Sequence, residues 1–386
     1  MTLLTFTGDI GFDKYMDGKW EDRDFLDTKI RGFLSDTDYL CVNVEGPLCP
    51  PIKKVSDTGA QSLLHSMNPE AVTFLDDIGA NIWNICNNHI MDAGERGMEE
   101  TLALAGRHNA RTLGAGMNIS EASSPVIINE AGGIGLIGVG YQRACRKADE
   151  NTPGCFSWSD LDLIREKITQ IKEKCRWCIV VSHAGEEFTS LPTPYTRDRY
   201  LEYLNMGADI VIGHHPHVPM NYELIDNKAI FYSLGNFVFD TDYQRAQYNT
   251  QYGVFVKLKF SESDFSFEPF GIMIDREKGK IVSHALPDIF ENVTEEEYRK
   301  LVPYSAKAFL EATKRQLKYL YKDKFADATE EDFMEDFMKV PRSGRVPGET
   351  LDFHIIVPLA ESLSMKDVMS SNLPKVVDYI KNQITF

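Results

Sequence analysis

The sequence predicts an α/β fold built in layers, and two observations support this. From residue 1 to about residue 275, short apolar runs alternate with longer segments of helical periodicity, which is typical of sheets covered by helices. Polar clusters also follow directly on several of the apolar runs. Because loops at the carboxyl ends of strands meet at one crevice in such folds, clusters far apart in the sequence are expected to lie together.

The elements follow in order along the chain. Six β-branched or aliphatic runs have the length of strands, at residues 3–7, 39–44, 81–86, 135–140, 178–182 and 209–212. Four segments between them predict helices, at residues 69–78, 96–108, 159–174 and 196–206. In the third helix Ile164, Ile168 and Ile171 recur near a helical spacing and form one apolar stripe. A later β-rich part, residues 229–240 and 252–260, predicts a second sheet packed on the first.

The last third of the chain differs in character. Thr294 and Glu297 fit a capping box, and a helical pattern runs from there towards Lys322. Another helical pattern begins at Thr329, with three acidic residues in its first turn, where the helix dipole favours them. We therefore predict two parts, a domain over residues 1–275 and a mainly helical accessory region over residues 276–386.

Composition excludes some classes of function. The 41 Lys and Arg against 58 Asp and Glu leave a net charge of -17, which argues against a nucleic-acid partner but leaves room for a local basic pocket. No apolar run has the 18 or so residues of a membrane span, and the N-terminus lacks the pattern of a signal peptide. The seven Cys show no regular spacing, which favours free thiols. We therefore expect a cytoplasmic protein.

Five polar clusters at predicted strand ends carry the chemistry. They are Gly8-Asp9, Asn43-Val44-Glu45-Gly46, Asn87-Asn88-His89, Ser182-His183-Ala184-Gly185-Glu186-Glu187 and Gly213-His214-His215-Pro216-His217. Taken singly, a Gly-Asp after a strand is usually a turn, and Glu45 reads equally as an exposed loop acid. The last cluster is the strongest, since it holds three of the nine His within four residues. Together the carboxylates, amide and imidazoles suit borderline divalent metals such as Mn, Fe or Zn.

The order of these motifs resembles that of the calcineurin-like metallophosphoesterase superfamily. More closely, the chain resembles the CapA family of bacterial capsule and poly-γ-glutamate biosynthesis proteins. The resemblance covers roughly residues 5–240 and extends to Gly114-Ala115-Gly116, Gly207-Ala208-Asp209 and Tyr232-Ser233-Leu234-Gly235-Asn236-Phe237. It implies a metallophosphoesterase-like, layered α/β/β/α sandwich, with the mainly helical C-terminal extension outside it.

The resemblance also implies a site for two divalent metal ions (Mn, Fe or Zn), with Glu45 bridging both. The other ligands would be Asp9 and His217 at the first site, and Asn88, His183 and His215 at the second. Many superfamily members carry a His two residues after the first Asp. Here that position is Gly11, so the first site is expected to hold its ion less tightly.

The resemblance implies catalytic roles for two further residues. His89 would steady charge on the substrate or protonate the leaving group, and Asp92 would orient its ring. Lys53, Lys54, Arg197 and Arg199 are candidates to approach an anionic group, with a solvated surface as the alternative. From the matching motifs we add Glu187, His214 and Asn236 to the substrate-binding set.

The leading hypothesis is a metal-dependent hydrolase that acts on a phosphoester or a related small or polymeric anionic substrate. A pair of divalent cations activates water for attack on phosphorus and neutralises the charge that develops there. Two alternatives stay open. One is a non-catalytic, metal-binding accessory protein of capsule or poly-γ-glutamate assembly, and the other is a γ-glutamyl amide hydrolase that uses the same metals.

Overall fold

Two sheets stacked face to face, with helices on both outer sides, form the centre of the protein. The structure is a computed structural model that describes residues 1–50, 63–140, 146–320 and 373–384. Its layers confirm the predicted α/β/β/α sandwich, and the described part of the C-terminal extension is mainly helical.

The first sheet has eight strands. In spatial order seven of them are β16 (Lys280–Ser283), β15 (Phe265–Asp275), β14 (Tyr252–Phe260), β1 (Thr2–Gly11), β2 (Tyr39–Val44), β3 (Ile82–Asn84) and β4 (Arg111–Leu113). The eighth, β13 (Asn236–Phe239), pairs in parallel with the end of β1, while β14 runs antiparallel to the beginning of β1. Strands β1 to β4 are parallel, so their carboxyl ends lie at one edge of the sheet.

The second sheet has six strands and also holds a parallel centre. In spatial order they are β11 (Tyr222–Ile225), β12 (Lys228–Phe231), β10 (Ile210–His214), β9 (Trp177–His183), β7 (Ile134–Gly140) and β6 (Val126–Ile128). Strands β12, β10, β9 and β7 are parallel. The small strands β5 (Ala115–Gly116) and β8 (Gly154–Cys155) pair separately.

Helices cover the outer faces. Those of the sandwich are α1 (Thr28–Ser35), α2 (Val72–Asp77), α3 (Gly94–Arg107), α4 (Ile119–Ala122), α5 (Leu161–Lys172), α6 (Pro194–Met206) and α7 (Asp242–Arg245). Two more follow the sheets, α8 (Glu295–Leu320) and α9 (Pro374–Ile384). Helix α6 begins with Pro194 in its first turn and ends at Gly207, whose φ of 119° gives the left-handed cap that favours glycine.

The alternation of side chains along the strands builds the layers. In β9, Ile179 and Val181 face the core between the two sheets, while Cys178 and Val180 face helices α5 and α6. The predicted apolar stripe of α5 covers that second face, with Ile164, Ile168 and Ile171 all buried. Strands that are buried on both faces have continuous apolar sequences. For this reason the sequence predicted them correctly.

One element of the sequence prediction was wrong. The β-rich part after residue 229 does not form the second sheet by itself. Strand β12 joins the second sheet, whereas β13 and β14 pair with β1 and enlarge the first. Strand β16 lies beyond the predicted boundary at residue 275, yet it continues the first sheet by pairing with β15. Non-local pairing decides such placement, and residue patterns do not report it.

The cysteines depart in part from expectation. Cys41, Cys49, Cys86, Cys175 and Cys178 are free and buried, as small apolar side chains. Cys155, however, is disulfide-bonded, which corrects the expectation of free thiols throughout. Among the described helices none is both long and apolar enough to cross a bilayer.

Helix α8 is fixed to the sandwich by contacts with the segment that follows β9. The Tyr298 hydroxyl donates to the carbonyl of Pro192 at 2.9 Å, and the Ser305 hydroxyl donates to that of Leu191 at 3.0 Å. Leu191 and Ile289 are buried in one apolar cluster with the inner faces of α8 and α9. The predicted helix that begins at Thr329 lies outside the described residues.

Ending the chain at Asp275 is therefore expected to give insoluble protein. The cut removes β16 and exposes the apolar surface around Leu191 that α8 covers. The soluble fraction and metal content of this fragment, compared with the full chain, measure the effect. A soluble fragment with full metal content would show that residues 276–386 form a dispensable module.

A candidate metal centre at the carboxyl ends of the strands

The polar clusters meet at the edge where the parallel strands of both sheets end. Asp9 lies near the end of β1, Glu45 follows β2, and His183 is the last residue of β9. His183 Nε2 lies 3.7 Å from Glu45 Oε1 and 2.7 Å from Asn88 Oδ1. His217 Nε2 lies 3.4 Å from Glu45 Oε1. Residues from separate regions of the sequence thus form one cluster, as the parallel arrangement predicted.

Two groups of residues in this cluster could each hold a metal ion. Asp9, Glu45 and His217 form one, and Glu45, His183 and His215 form the other. Within each group, one potential ligand atom per residue lies within 4.8 Å of the others. Glu45 belongs to both groups, so the two groups share its carboxylate.

The surroundings of Glu45 fit a cation. Its side chain is 0% exposed, and neither carboxylate oxygen has a hydrogen-bond partner; His215 Nδ1 is also buried without one. A buried carboxylate without partners is costly, because it has lost water and gained nothing in return. Burial first, and then the charges of Asp9, Glu187 and Asp92, raise the pKa of Glu45 well above its ordinary value. Divalent cations bound between these oxygen and nitrogen donors would remove that cost.

Burial lowers the pKa values of two imidazoles in the cluster. Burial, followed by the neighbouring His215, lowers the pKa of His183 well below its ordinary value. Burial likewise lowers the pKa of His215 to about 4. Both rings are therefore neutral at physiological pH, which is the form that binds metals. For Asp9, burial opposes ionisation, but the hydrogen bond with His214 and the nearby imidazoles hold its pKa below the ordinary value.

Buried amides hold the ligand side chains in place. Asn43 Nδ2 donates to Asp9 Oδ1 at 2.9 Å, and Asn84 Nδ2 donates to Asn43 Oδ1 at 2.8 Å. All three side chains are fully buried. Such partners fix the orientation of metal ligands and are nearly as important as the ligands themselves.

His89 and Asp92 lie at the rim of the cluster, in the loop after β3. His89 Nδ1 lies 2.7 Å from Asp92 Oδ2, and the two side chains are 13% and 12% exposed. Because a carboxylate accepts hydrogen bonds, Asp92 orients the ring and leaves Nε2 without a protein partner among the described residues. This is the arrangement that the sequence suggested for the pair.

Three residues assigned to substrate binding have other partners in the structure. His214 is buried and its Nδ1 lies 3.0 Å from Asp9 Oδ1, so it supports a candidate ligand. Asn236 is buried and accepts from His217 Nδ1 at 2.9 Å, which directs Nε2 of that ring towards Glu45. Glu187 Oε2 accepts from the Tyr243 hydroxyl at 3.2 Å and from Gln316 Nε2 of α8 at 3.0 Å.

Of the four cations suggested for anion binding, the two arginines have other partners in the structure. Arg197 is buried and forms a bidentate salt bridge with Glu223, at 2.7 and 3.0 Å. Arg199 donates to the carbonyl of Trp158 at 2.9 Å and lies 3.5 Å from Glu202. These contacts favour a structural role for both arginines. Lys53 and Lys54 lie outside the described residues.

Sequence reasoning missed two parts of this site. His65 Nδ1 lies 3.0 Å from Asp13 Oδ2, and its ring contacts that of His89. His65 stands alone in its segment of the sequence, and no motif around it indicates a role in the site. The second part is Phe239, whose ring lies so close to Gly11 that a Cβ added there would overlap it. The ring of Phe239 therefore fills the space next to Gly11.

The chain is similar to a family of bacterial proteins over most of its length. The profile of the family described as "Bacterial capsule synthesis protein PGA_cap" matches residues 3–241. The "PGA biosynthesis protein CapA" of Bacillus subtilis (strain 168) is 31% identical over 248 residues, which cover 63% of this chain and 64% of that protein. The "Capsule biosynthesis protein CapA" of Bacillus anthracis is 28% identical over 231 residues, covering 58% and 56%. The match thus spans less than two thirds of either relative.

Among solved structures, a hypothetical protein from Thermus thermophilus is 13% identical and aligns with a TM-score of 0.44. The alignment covers 70% of this chain and 98% of that one.

Proposed function

This chain belongs to the PGA_cap family of bacterial capsule synthesis proteins, and on that premise we propose that it is a metal-dependent hydrolase. Its substrate would be a phosphoester or a related anionic compound of capsule or poly-γ-glutamate metabolism. One observation carries the proposal: the fully buried Glu45, without a hydrogen-bond partner, is shared by two carboxylate–imidazole groups. A buried carboxylate of this kind destabilises the fold unless cations compensate it.

The residues that would hold two ions divide around Glu45. The first ion would be held by Asp9, Glu45 and His217, and the second by Glu45, Asn88, His183 and His215. Two divalent cations there would supply an activated water and Lewis acidity for hydrolysis. His214, Asn43 and Asn236 keep the ligands in place through the hydrogen bonds described above.

His89 would act on the substrate itself. Asp92 accepts the hydrogen bond of Nδ1 and so presents Nε2 to the cleft. In the protonated ring, Nε2 is positioned to stabilise a developing negative charge or to give a proton to the leaving group. Metal storage alone would need neither His89 nor its partner, so this pair favours an enzyme over an accessory protein.

With Mn or a similar ion supplied, the purified chain is expected to cleave an aryl phosphomonoester or phosphodiester, and chelation should abolish the cleavage. Elemental analysis and a panel of these esters plus a γ-glutamyl peptide measure this. Glu45→Gln, purified in parallel, excludes a contaminating phosphatase because only the protein's own activity would disappear.

The same panel separates the alternatives. Cleavage of the γ-glutamyl peptide alone would identify an amide hydrolase. Full metal loading without turnover of any compound would identify a metal-binding accessory protein. If no transition metal binds even after reconstitution, the proposal of a metal centre fails.

A further inference from the structure

A second His–Asp pair lies beside the first. The rings of His65 and His89 meet edge to face, with centroids 4.2 Å apart. His65 Nδ1 lies 3.0 Å from Asp13 Oδ2, as His89 Nδ1 lies 2.7 Å from Asp92 Oδ2. The site therefore presents two imidazoles, each backed by its own carboxylate.

His65 is placed next to the metal centre by aromatic contacts. Its ring lies 5.1 Å from that of Phe239, which in turn lies 4.8 Å from the ring of His217. A Cβ at Gly46, the residue after Glu45, would come within 3.4 Å of His65 Cβ. His65 thus lies next to the group of candidate ligands, with Phe239 between its ring and that of His217.

The backbone holds His65 firmly in that position. Its N–H donates to Asp92 Oδ2 at 2.7 Å, the same oxygen that lies against His89. Two residues later, Met67 exchanges backbone hydrogen bonds with Pro47 and Cys49, at 2.9 and 3.0 Å. The hydrogen bonds of His65 and of Met67 both oppose a shift of this segment, so the ring is preorganised.

The pairing with Asp13 determines what His65 offers to a ligand. An ionised carboxylate only accepts hydrogen bonds, so Nδ1 carries the proton. Burial, followed by the charge of His89, lowers the pKa of His65 to about 4, and the ring is neutral at physiological pH. Nε2 then carries a lone pair, and it has no protein partner among the described residues. The side chain is 11% exposed, so part of it is accessible to solvent.

We propose that His65 is a specificity-determining residue. Its Nε2 accepts a hydrogen bond from an N–H or O–H group of the substrate, next to the scissile bond at which His89 acts. The inference rests on the proposed hydrolase function and narrows its substrate class. Substrates with a donor beside the scissile bond, such as an amide N–H or a hydroxyl, are preferred over those that offer only acceptors. A phosphate oxygen alone would face a lone pair there, which is unfavourable.

Two matched pairs of compounds test this preference. One pair is 2-hydroxyethyl phosphate and its O-methyl ether; the other is a γ-glutamyl anilide and its N-methyl derivative. The full-length protein should prefer the donor-bearing member by about tenfold in kcat/KM, the scale of one hydrogen bond to a buried acceptor. Cleavage of the phosphate pair would show that the donor is a hydroxyl group, and cleavage of the anilide pair would show that it is an amide N–H.

Variants connect the preference to His65. His65→Leu should lower the ratio to near one with metal content unchanged, and His65→Gln should keep part of it, because its carbonyl reaches the place of Nε2. His108→Leu is the matched control. His108 Nδ1 lies 2.7 Å from Asp76 Oδ2, and this exposed pair is not part of the site. A ratio that His65→Leu leaves unchanged would overturn the inference.

Histidine ¹⁵N spectra of the full chain provide a readout that needs no turnover. The signals that disappear in His65→Leu should show the proton on Nδ1 and not on Nε2. The opposite tautomer would overturn the inference even in an active enzyme. If no compound is cleaved, the proposed hydrolase function fails. The preference for the donor-bearing member of each pair is then measured as a ratio of dissociation constants by calorimetry.

Discussion

Glu45→Gln is expected to lose most of the bound metal and, with it, all measurable hydrolysis. Glutamine keeps the shape of the side chain but removes the only charge that both candidate groups share. Neutral amide oxygens bind such ions more weakly than carboxylates, so both sites lose affinity together. Elemental analysis and the ester assay measure the two losses, and Glu150→Gln, at an exposed position, is the control.

The same substitution should raise the stability of the metal-free protein. The pKa of Glu45 is raised in the folded state, so folding loses stability as pH rises above the ordinary value of 4.5. Glutamine carries no such penalty. In the presence of chelator at neutral pH, Glu45→Gln should therefore melt at a higher temperature than the unchanged protein, and the gap should close in acid. A lower melting temperature would mean that Glu45 is not an uncompensated charge.

His89→Ala is expected to separate metal binding from chemistry. Turnover should fall on the order of a hundredfold or more, the usual scale for a group that transfers a proton, while metal content stays nearly intact. His183→Ala and His215→Ala, by contrast, should lose metal and activity together, because both belong to a candidate ligand group.

The comparison of these three variants decides the role of His89. Equal metal loss in all of them would show that His89 is a ligand and that its pairing with Asp92 serves coordination. Unchanged turnover in His89→Ala would remove the argument that the pair favours an enzyme over an accessory protein.

Most of the sandwich could be predicted from the sequence, because the core strands are buried on both faces. Strand β9 and helix α5 show this, since their apolar residues form unbroken or helically spaced patterns. The pairing of β14 with β1 could not be predicted in the same way. An antiparallel strand added to one sheet has the same local pattern as a strand of another sheet, and only long-range packing distinguishes them.

The meeting of the polar clusters could also be predicted, because loops at the carboxyl ends of parallel strands lie at one edge of a sheet. Which of their residues are candidate ligands came from the family resemblance. The partners of other polar residues could not. Arg197 was assigned to an anionic substrate, yet Glu223, 26 positions away, neutralises it within the fold. His65 carries no motif, and its pairing with Asp13 spans 52 positions.

The amino-acid sequence alone places the polar side chains at the ends of the strands. The tertiary structure alone decided which charges are already compensated and which remain available to a ligand. The physical reason is that a residue's type is local, whereas its electrostatic partner is set by the packing of distant segments. Glu45 and Arg197 are both buried ionisable residues, and the fold gives a hydrogen-bonded counter-charge to Arg197 alone.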